Sequence, residues 1–91
     1  MDINLAKFLK LGDIIQDTKI ANKKGKLINW KINGRVKTWK KDPNRIKIPI
    51  KFGLWEYWYV TEDNIDCFFI PEILEKRILE RMLTSLDLKG E

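Results

Sequence analysis

The middle of the chain alternates strictly between apolar and polar residues. From Arg45 to Lys51, isoleucines at positions 46, 48 and 50 are separated by basic residues and by Pro49. A period of two is typical of a β-strand with one buried face, so the isoleucines are predicted to point inward and the basic side chains outward. Pro49 has no N–H to donate, which predicts an edge strand or a strand paired on one side at that residue.

A second alternating segment ends at Asn33-Gly34, a dipeptide typical of β-hairpins. A two-residue loop would place charged residues opposite apolar ones. A three-residue loop, with Gly34 in the left-handed conformation, instead pairs Trp30 with Val36 and keeps one face apolar. We therefore predict the longer loop, which also turns Trp39 to the side of the sheet that carries the basic residues.

The remaining elements follow from β-branched runs, turn-forming residues and helical periodicity. They are a short helix over residues 2–9, strands over 14–20, 54–60 and 67–70, a basic loop over 21–26, turns at 40–44 and 61–64, and a helix from 71 to about 86. The last helix carries an apolar stripe formed by Leu74, Ile78, Leu79, Met82, Leu83 and Leu86. A stripe of this width predicts either a lid over the sheet or a dimer seam.

Together these elements indicate a mainly β fold with flanking helices, an α+β domain. Leu11-Gly12-Asp13-Ile14 and the segment from Tyr59 to Asp66 resemble the corresponding parts of an SH3-like small β-barrel, over residues 11–70. The resemblance implies a barrel of about five strands, a fold that hosts nucleic-acid binding and protein binding alike. The chain is then one domain, with a short helix at 1–10, the barrel at 11–70, the C-terminal helix at 71–86 and a tail at 87–91. The side chains expected to be buried together are Ile28, Trp30, Val36, Ile46, Ile48 and Ile50.

Positive charge is concentrated in the middle of the chain. The 91 residues carry a formal net charge of +5, but residues 19–51 hold twelve Lys or Arg and one acid, whereas residues 52–91 hold nine acids and four basic residues. This asymmetry suggests a surface that faces a polyanion. Basic residues two apart on a strand project to the same side, so they predict a patch that contacts nucleic-acid phosphates.

This interpretation defines a candidate binding site for DNA or RNA, between which the pattern does not choose. Its residues are Lys31, Arg35, Lys37, Trp39, Lys40, Lys41, Arg45 and Lys47, with Lys23, Lys24 and Lys26 of the basic loop. Trp39 would stack on a base. In one alternative, these charges only solvate an exposed sheet face. In another, the chain is a protein–protein interaction module or a subunit of a larger assembly that binds an acidic partner or forms a homodimer through its last helix.

Several kinds of chemistry lack the residues they need. The chain has no His and a single cysteine, Cys67, which excludes the usual zinc sites, and it has no glycine-rich phosphate loop. Glu62, Asp63 and Asp66 could hold Mg²⁺ or form a capped turn with solvated acids, and the second interpretation is favoured. We predict a protein that is not an enzyme and needs no cofactor.

The expected location is the cytoplasm, without contact to a membrane. One cysteine in an apolar run predicts a buried thiol in a reducing compartment. The acidic start of the chain argues against a signal peptide, and no apolar run reaches the length of a membrane span.

Overall fold

Six strands form one antiparallel sheet in the computed structural model, which describes the backbone of residues 1–21 and 23–90 and the side chains of residues 1–19 and 23–84. The strands are β1 (Ile14–Ala21), β2 (Leu27–Ile32), β3 (Lys37–Trp39), β4 (Asp42–Phe52), β5 (Glu56–Thr61) and β6 (Phe68–Phe69). The helices are α1 (Ile3–Ala6), a one-turn 3₁₀ helix (Ile65–Cys67) and α2 (Glu72–Gly90). The mainly β fold with flanking helices is therefore confirmed.

The longest strand, β4, lies inside the sheet. Along one side it pairs with β5, with Ile48 opposite Val60 and Ile50 opposite Trp58. Along the other side it pairs first with β3 and then with β2, and β2 continues the sheet to β1 and β6. The sheet is not closed, because no pairing joins β5 to β6 among the residues that the structure describes.

Pro49 lies where β4 changes its partner strand. On one side of β4, Pro49 is opposite Tyr59 of β5. On the other side Pro49 has no ladder partner among the described strands: Lys47, before it, is paired with β3, and Ile50, after it, is paired with β2. The carbonyl oxygen of Pro49 accepts a hydrogen bond from the N–H of Asn33 at 2.8 Å. The single-sided pairing expected of a residue without an N–H is confirmed.

One hydrophobic core covers the inner face of the sheet. The three isoleucines of β4 and Trp30 are buried there, as predicted, while Ile28 and Val36 are half-buried and pack against the core. The indole N–H of Trp30 donates to the carboxylate of Asp17 at 3.3 Å, so its one polar atom keeps a partner inside the core.

The C-terminal helix covers part of this core with one side of its apolar stripe. Leu74 and Ile78 are buried, whereas Leu79 and Leu83 are exposed, and the side chain of Leu86 lies outside the described residues. The helix continues to Gly90, beyond the end that the stripe predicts, and the last residue of the expected tail, at position 91, also lies outside the described part. None of the helices in the described residues is long and apolar enough to cross a membrane.

An ion pair joins α2 to the segment before β1. The guanidinium of Arg81 donates to the carboxylate of Asp13 at 2.7 and 3.1 Å and to the carbonyl oxygen of Phe8 at 3.0 Å. Burial alone would raise the pKa of Asp13, but the hydrogen bonds from Arg81 and from the Lys10 amide outweigh it, so this pKa lies below its ordinary value. The folded state therefore favours the ionised carboxylate.

The hairpin predicted at Asn33-Gly34 is wrong. Gly34 does not have a positive φ, and β2 and β3 run one after the other along the same side of β4 instead of pairing with each other. Ile32 is paired with Ile50, and Lys37 is paired with Lys47. Lys37 follows Ile32 by five residues, whereas their partners on β4 are only three residues apart. Residues 33–36 therefore form a bulge that contains two extra residues. Sequence cannot distinguish such a bulge from a turn, because both favour Gly and Asn.

Further boundaries differ from the predictions, and the first helix, expected over residues 2–9, is limited to Ile3–Ala6. The turn expected over residues 40–44 contains only Lys40-Lys41, and Asp42 already pairs with Trp39 as the first residue of β4. The strand expected from residue 54 begins at Glu56, because Gly53, with φ of +64°, starts a turn. The last strand is reduced from residues 67–70 to Phe68–Phe69. The turn at 61–64 is confirmed.

Gly34 is required for space and not for its φ. A Cβ atom at this position would lie 2.8 Å from Cγ of Pro49, a ring atom that can shift only by a change of ring pucker. We expect Gly34→Ala to lower the free energy of unfolding by ~1–3 kcal/mol, as overpacking does. Urea denaturation of Gly34→Ala, Pro49→Ala and the double variant measures the effect. Removing the proline ring should recover much of the loss, and strict additivity of the two changes would contradict the proposed clash.

The ion pair of Asp13 and Arg81 predicts a pH-dependent contribution to stability. Because the pKa of Asp13 is lower in the folded state than its ordinary value of 3.8, the contribution is present above that value and is lost as pH falls through the lowered folded pKa. We expect Asp13→Asn to lower the free energy of unfolding by ~1–3 kcal/mol near neutral pH. Urea denaturation between about pH 2 and pH 7 should show this difference vanish at the acid end. The exposed Asp63→Asn is the control, and a difference independent of pH would contradict the role of the charge.

Candidate functional site

The outer face of the sheet carries the basic residues of β4 and its neighbours. Since the isoleucines of β4 point inward, the residues between them point outward, together with the residues paired to them. Three cross-strand rows result: Lys31, Lys51 and Tyr57 in the first, Pro49 and Tyr59 in the second, and Lys37, Lys47 and Thr61 in the third. Arg45 and Trp39 continue the face beyond the third row, and we call this whole set the basic face. Its strands lie ~4.8 Å apart and its rows ~6.6 Å apart.

Aromatic rings hold several of these cations in place. The guanidinium carbon of Arg45 lies 4.2 Å from the ring centroid of Trp39, and Nζ of Lys37 lies 5.1 Å from the same centroid. Nζ of Lys47 lies 4.3 Å from the ring centroid of Tyr59. Each contact is worth ~0.5–1 kcal/mol at an exposed site. The half-buried Trp39 therefore positions two cations, and its predicted role as a stacking platform stays a prediction.

Two pairs of lysines face each other directly across the strands. Lys31 is opposite Lys51, and Lys37 is opposite Lys47. Like charges in this position are destabilising, by ~0.2–1 kcal/mol for each pair relative to neutral residues. None of the residues in the three rows is acidic. The face therefore accumulates positive charge without neutralising it.

Glu62 marks the border of the basic face near Arg45. Its carboxylate accepts hydrogen bonds from its own N–H and from the N–H of Ile46, and these bonds, together with the charge of Arg45, hold its pKa below the ordinary value. The carboxylate thus caps the backbone at the side of β4, outside the three rows.

Not every predicted site residue belongs to the basic face. Arg35 lies in the bulge between β2 and β3 and lines a surface cavity of about 400 Å³ together with Lys7 and Lys10. This cavity adjoins the face through Gly34, which touches Pro49.

The other predicted lysines lie in two turns. Lys40 and Lys41 form the tight turn from β3 to β4, next to Trp39 and hence at one end of the basic face. The exposed residues Lys23, Lys24 and Lys26 lie in the loop from β1 to β2, at the opposite end of that hairpin from Lys31. The loop is therefore a separate basic region.

Five residues of the basic face were not in the predicted site: Pro49, Lys51, Tyr57, Tyr59 and Thr61. Lys51 continues the alternation from Arg45 and was detectable from that pattern alone. Tyr57 and Tyr59 were not assignable, because residues 54–60 are aromatic on both faces and only the pairing with β4 decides which rings point outward.

Beyond the face, the turn from β4 to β5 exposes two large apolar side chains. Leu54 is 79% exposed and Trp55 is 86% exposed. On the inner side of the same hairpin, Trp58 packs edge-on against Trp30 with centroids 6.3 Å apart. The tip thus extends outward from a hairpin that is anchored in the core.

The acidic residues near the last strand form a turn. The side-chain oxygen of Asn64 accepts from the N–H of Thr61 at 2.7 Å, and the N–H of Asp63 donates to the Thr61 hydroxyl at 3.3 Å. Within the described residues, no group of three or more His, Cys, Asp or Glu side chains is placed to hold a metal ion. Cys67 is half-buried, where burial was predicted.

Comparisons with known protein families, with curated proteins and with solved structures give no match to this chain.

The lysine pairs lead to a test in the protein without any ligand. Lys51→Glu places an opposite charge across from Lys31, so the free energy of unfolding should rise by ~0.2–1 kcal/mol at low salt. The gain should shrink between about 10 mM and about 1 M salt, because salt screens exposed charges. Urea denaturation measures both effects, and Lys51→Gln should lie between wild type and Lys51→Glu. A less stable Lys51→Glu would contradict repulsion between the two lysines.

Proposed function

We propose that this protein is a non-enzymatic nucleic-acid-binding domain that holds the phosphates of DNA or RNA on its basic face. The supporting observation is that two lysine pairs are directly opposite each other across the strands, in rows that contain no acid. Charges that serve only solubility gain from alternating signs, which would stabilise the same rows. Like charges placed opposite each other favour an anionic ligand that lies between them.

The number of cations supports a ligand with several phosphates. Lys31, Lys37, Arg45, Lys47 and Lys51 lie on one surface, and a polyanion that contacts most of them would release several condensed counterions. Because such contacts do not read bases, we propose weak sequence preference and micromolar or weaker affinity at moderate salt.

We also propose that the fold is related to SH3-like small barrels. In support, β2 and β3 act as one interrupted strand, a single helical turn precedes β6, and β6 pairs back onto β1. Location in the cytoplasm remains a prediction from the single cysteine.

A second candidate function is binding to a protein, in particular formation of a homodimer through α2. The observation that favours it is the apolar side of this helix that does not enter the core, where Leu79 is 46% exposed and Leu83 is 62% exposed. Substitutions that abolish nucleic-acid binding on the basic face do not change this side of α2. Dimer formation and nucleic-acid binding can therefore be tested separately.

Nucleic-acid binding is tested by fluorescence anisotropy of labelled oligonucleotides, single- and double-stranded, over a salt series. If four to six phosphates are neutralised, log K should fall against log salt with a slope of about −3 to −5. Lys37→Glu with Lys51→Glu leaves each lysine pair as an opposite-charge pair, so the fold should persist. This variant should bind at least tenfold more weakly, with a slope smaller by about two units.

The matched control is Lys23→Glu with Lys26→Glu, which changes the net charge equally in the separate basic loop. It should bind nearly as well as wild type. Equal losses in both variants would mean that net charge, and not the basic face, determines binding, and a loss confined to the loop variant would move the site there. Absence of binding to either oligonucleotide at low salt would refute the proposed function.

A further inference from the structure

We infer that the ligand of the basic face is single-stranded, with phosphates on the lysines of β4 and unstacked bases on Tyr57 and Tyr59 of β5. This inference rests on the proposed function and names the class of nucleic acid that the same face accepts. Its basis is that lysines lie along one strand of the face and tyrosines lie along the neighbouring strand.

The first observation is the register of the two strands. Tyr57 is opposite Lys51, and Tyr59 lies one row further, between Lys51 and Lys47 along the strand direction. The tyrosines thus lie along β5 and form an aromatic line, and Lys47 and Lys51 lie along β4 and form a cationic line ~4.8 Å away. A nucleic-acid strand has the same arrangement, with phosphates along one edge and bases along the other.

The second observation is that both tyrosines are accessible. Tyr57 is 63% exposed and Tyr59 is 47% exposed, although both are paired with residues of β4. The hydroxyl of Tyr57 donates to the carbonyl oxygen of Leu54 at 3.5 Å, which directs its ring toward the hairpin tip. Nζ of Lys47 lies over one face of the Tyr59 ring, 4.3 Å from its centroid, so a base would stack on the opposite face with this cation near its phosphate.

Spacing also favours an unstacked strand. Outward residues on β5 repeat every ~6.6 Å, whereas nucleotides in a duplex repeat every ~3.4 Å along each strand. Only a strand whose bases are not stacked on each other can extend to match the spacing of the tyrosines. Successive bases can therefore meet successive tyrosines. A duplex keeps its bases inside, so it would cover these rings without providing a stacking partner.

Trp39 is not the stacking residue in this arrangement. Its ring is half-buried and contacts two cations, Arg45 and Lys37, whereas the more exposed ring of Tyr59 contacts one, Lys47, and no cation–ring contact is described for Tyr57. The role that sequence analysis gave to Trp39 thus passes to the two tyrosines, and Trp39 acts by orienting cations.

The test compares three labelled ligands of about 12 residues: an oligothymidylate, an abasic deoxyribose-phosphate strand and a duplex. The abasic strand keeps the phosphates and lacks the bases, so it reports the proposed function alone. We expect the oligothymidylate to bind about tenfold or more tightly than the abasic strand, since stacking of one base contributes roughly 5- to 150-fold. Equal affinities would overturn the inference and leave the proposed function standing, whereas failure of all three ligands to bind at low salt would refute the proposed function itself.

Variants assign the effect to the rings. Tyr57→Leu keeps apolar bulk and removes the aromatic ring, so it should weaken oligothymidylate binding by roughly fivefold or more while the abasic strand is unaffected. Tyr59→Leu also releases Lys47, so it should weaken binding of both ligands, and that of the oligothymidylate by a larger factor. Tyr57→Phe and Tyr59→Phe keep the ring and should recover most of the oligothymidylate affinity that the Leu variants lose. Equal weakening of both ligands in the Leu variants would show a structural role only and overturn the inference.

Photocrosslinking gives a readout that does not depend on a variant folding. Wild-type protein is irradiated with a strand that contains 4-thiothymidine, and the crosslinked residues are located by mass spectrometry. Crosslinks at Tyr57 or Tyr59 are expected. Crosslinks confined to Trp39, Trp55 or the loop of Lys23 would overturn the inference.

Discussion

The structure depends on the burial of every second residue of β4. Ile46, Ile48 and Ile50 are almost completely inaccessible to solvent, and the strand is paired along both sides. A shift of register by one residue would bury Arg45 and Lys47 without partners, at a free-energy penalty far larger than the gain from any single apolar contact. The outward position of the basic side chains is therefore as strongly determined as the core itself.

The length of β4 explains the irregular neighbour beside it. Its eleven residues exceed what β2 covers, and the chain that follows β2 rejoins β4 as β3 after a bulge. Pro49, which needs no hydrogen-bond acceptor, occupies the position where the ladder is interrupted, and Gly34 allows the bulge to pass close to the proline ring. These two residues let one strand serve two partners on the same side.

The features predicted correctly from the sequence are those that depend on residues close together in the chain. The alternation in β4, the buried isoleucines, the mainly β fold and the C-terminal helix were all visible in the sequence because hydrophobic periodicity determines them. Asn33-Gly34 misled because its conformation depends on Pro49, fifteen residues away from Gly34, and the outward position of Tyr57 and Tyr59 depends on the register with β4. The cationic residues of the candidate site were thus predictable from the sequence. The outward position of the tyrosines could be assigned only once their pairing with β4 was known.

The way in which the basic face is stabilised bears on what it does. A carboxylate opposite Lys37 or Lys51 would stabilise the sheet more than a second lysine, but it would also neutralise the charge available to a ligand. The rings of Trp39 and Tyr59 act differently, because a cation over an aromatic ring is held in place and keeps its full charge. Repulsion across the strands is thereby offset in part without loss of positive potential. A surface selected only for solubility has no use for that combination, whereas a surface that binds a chain of phosphates gains from every charge that stays in place.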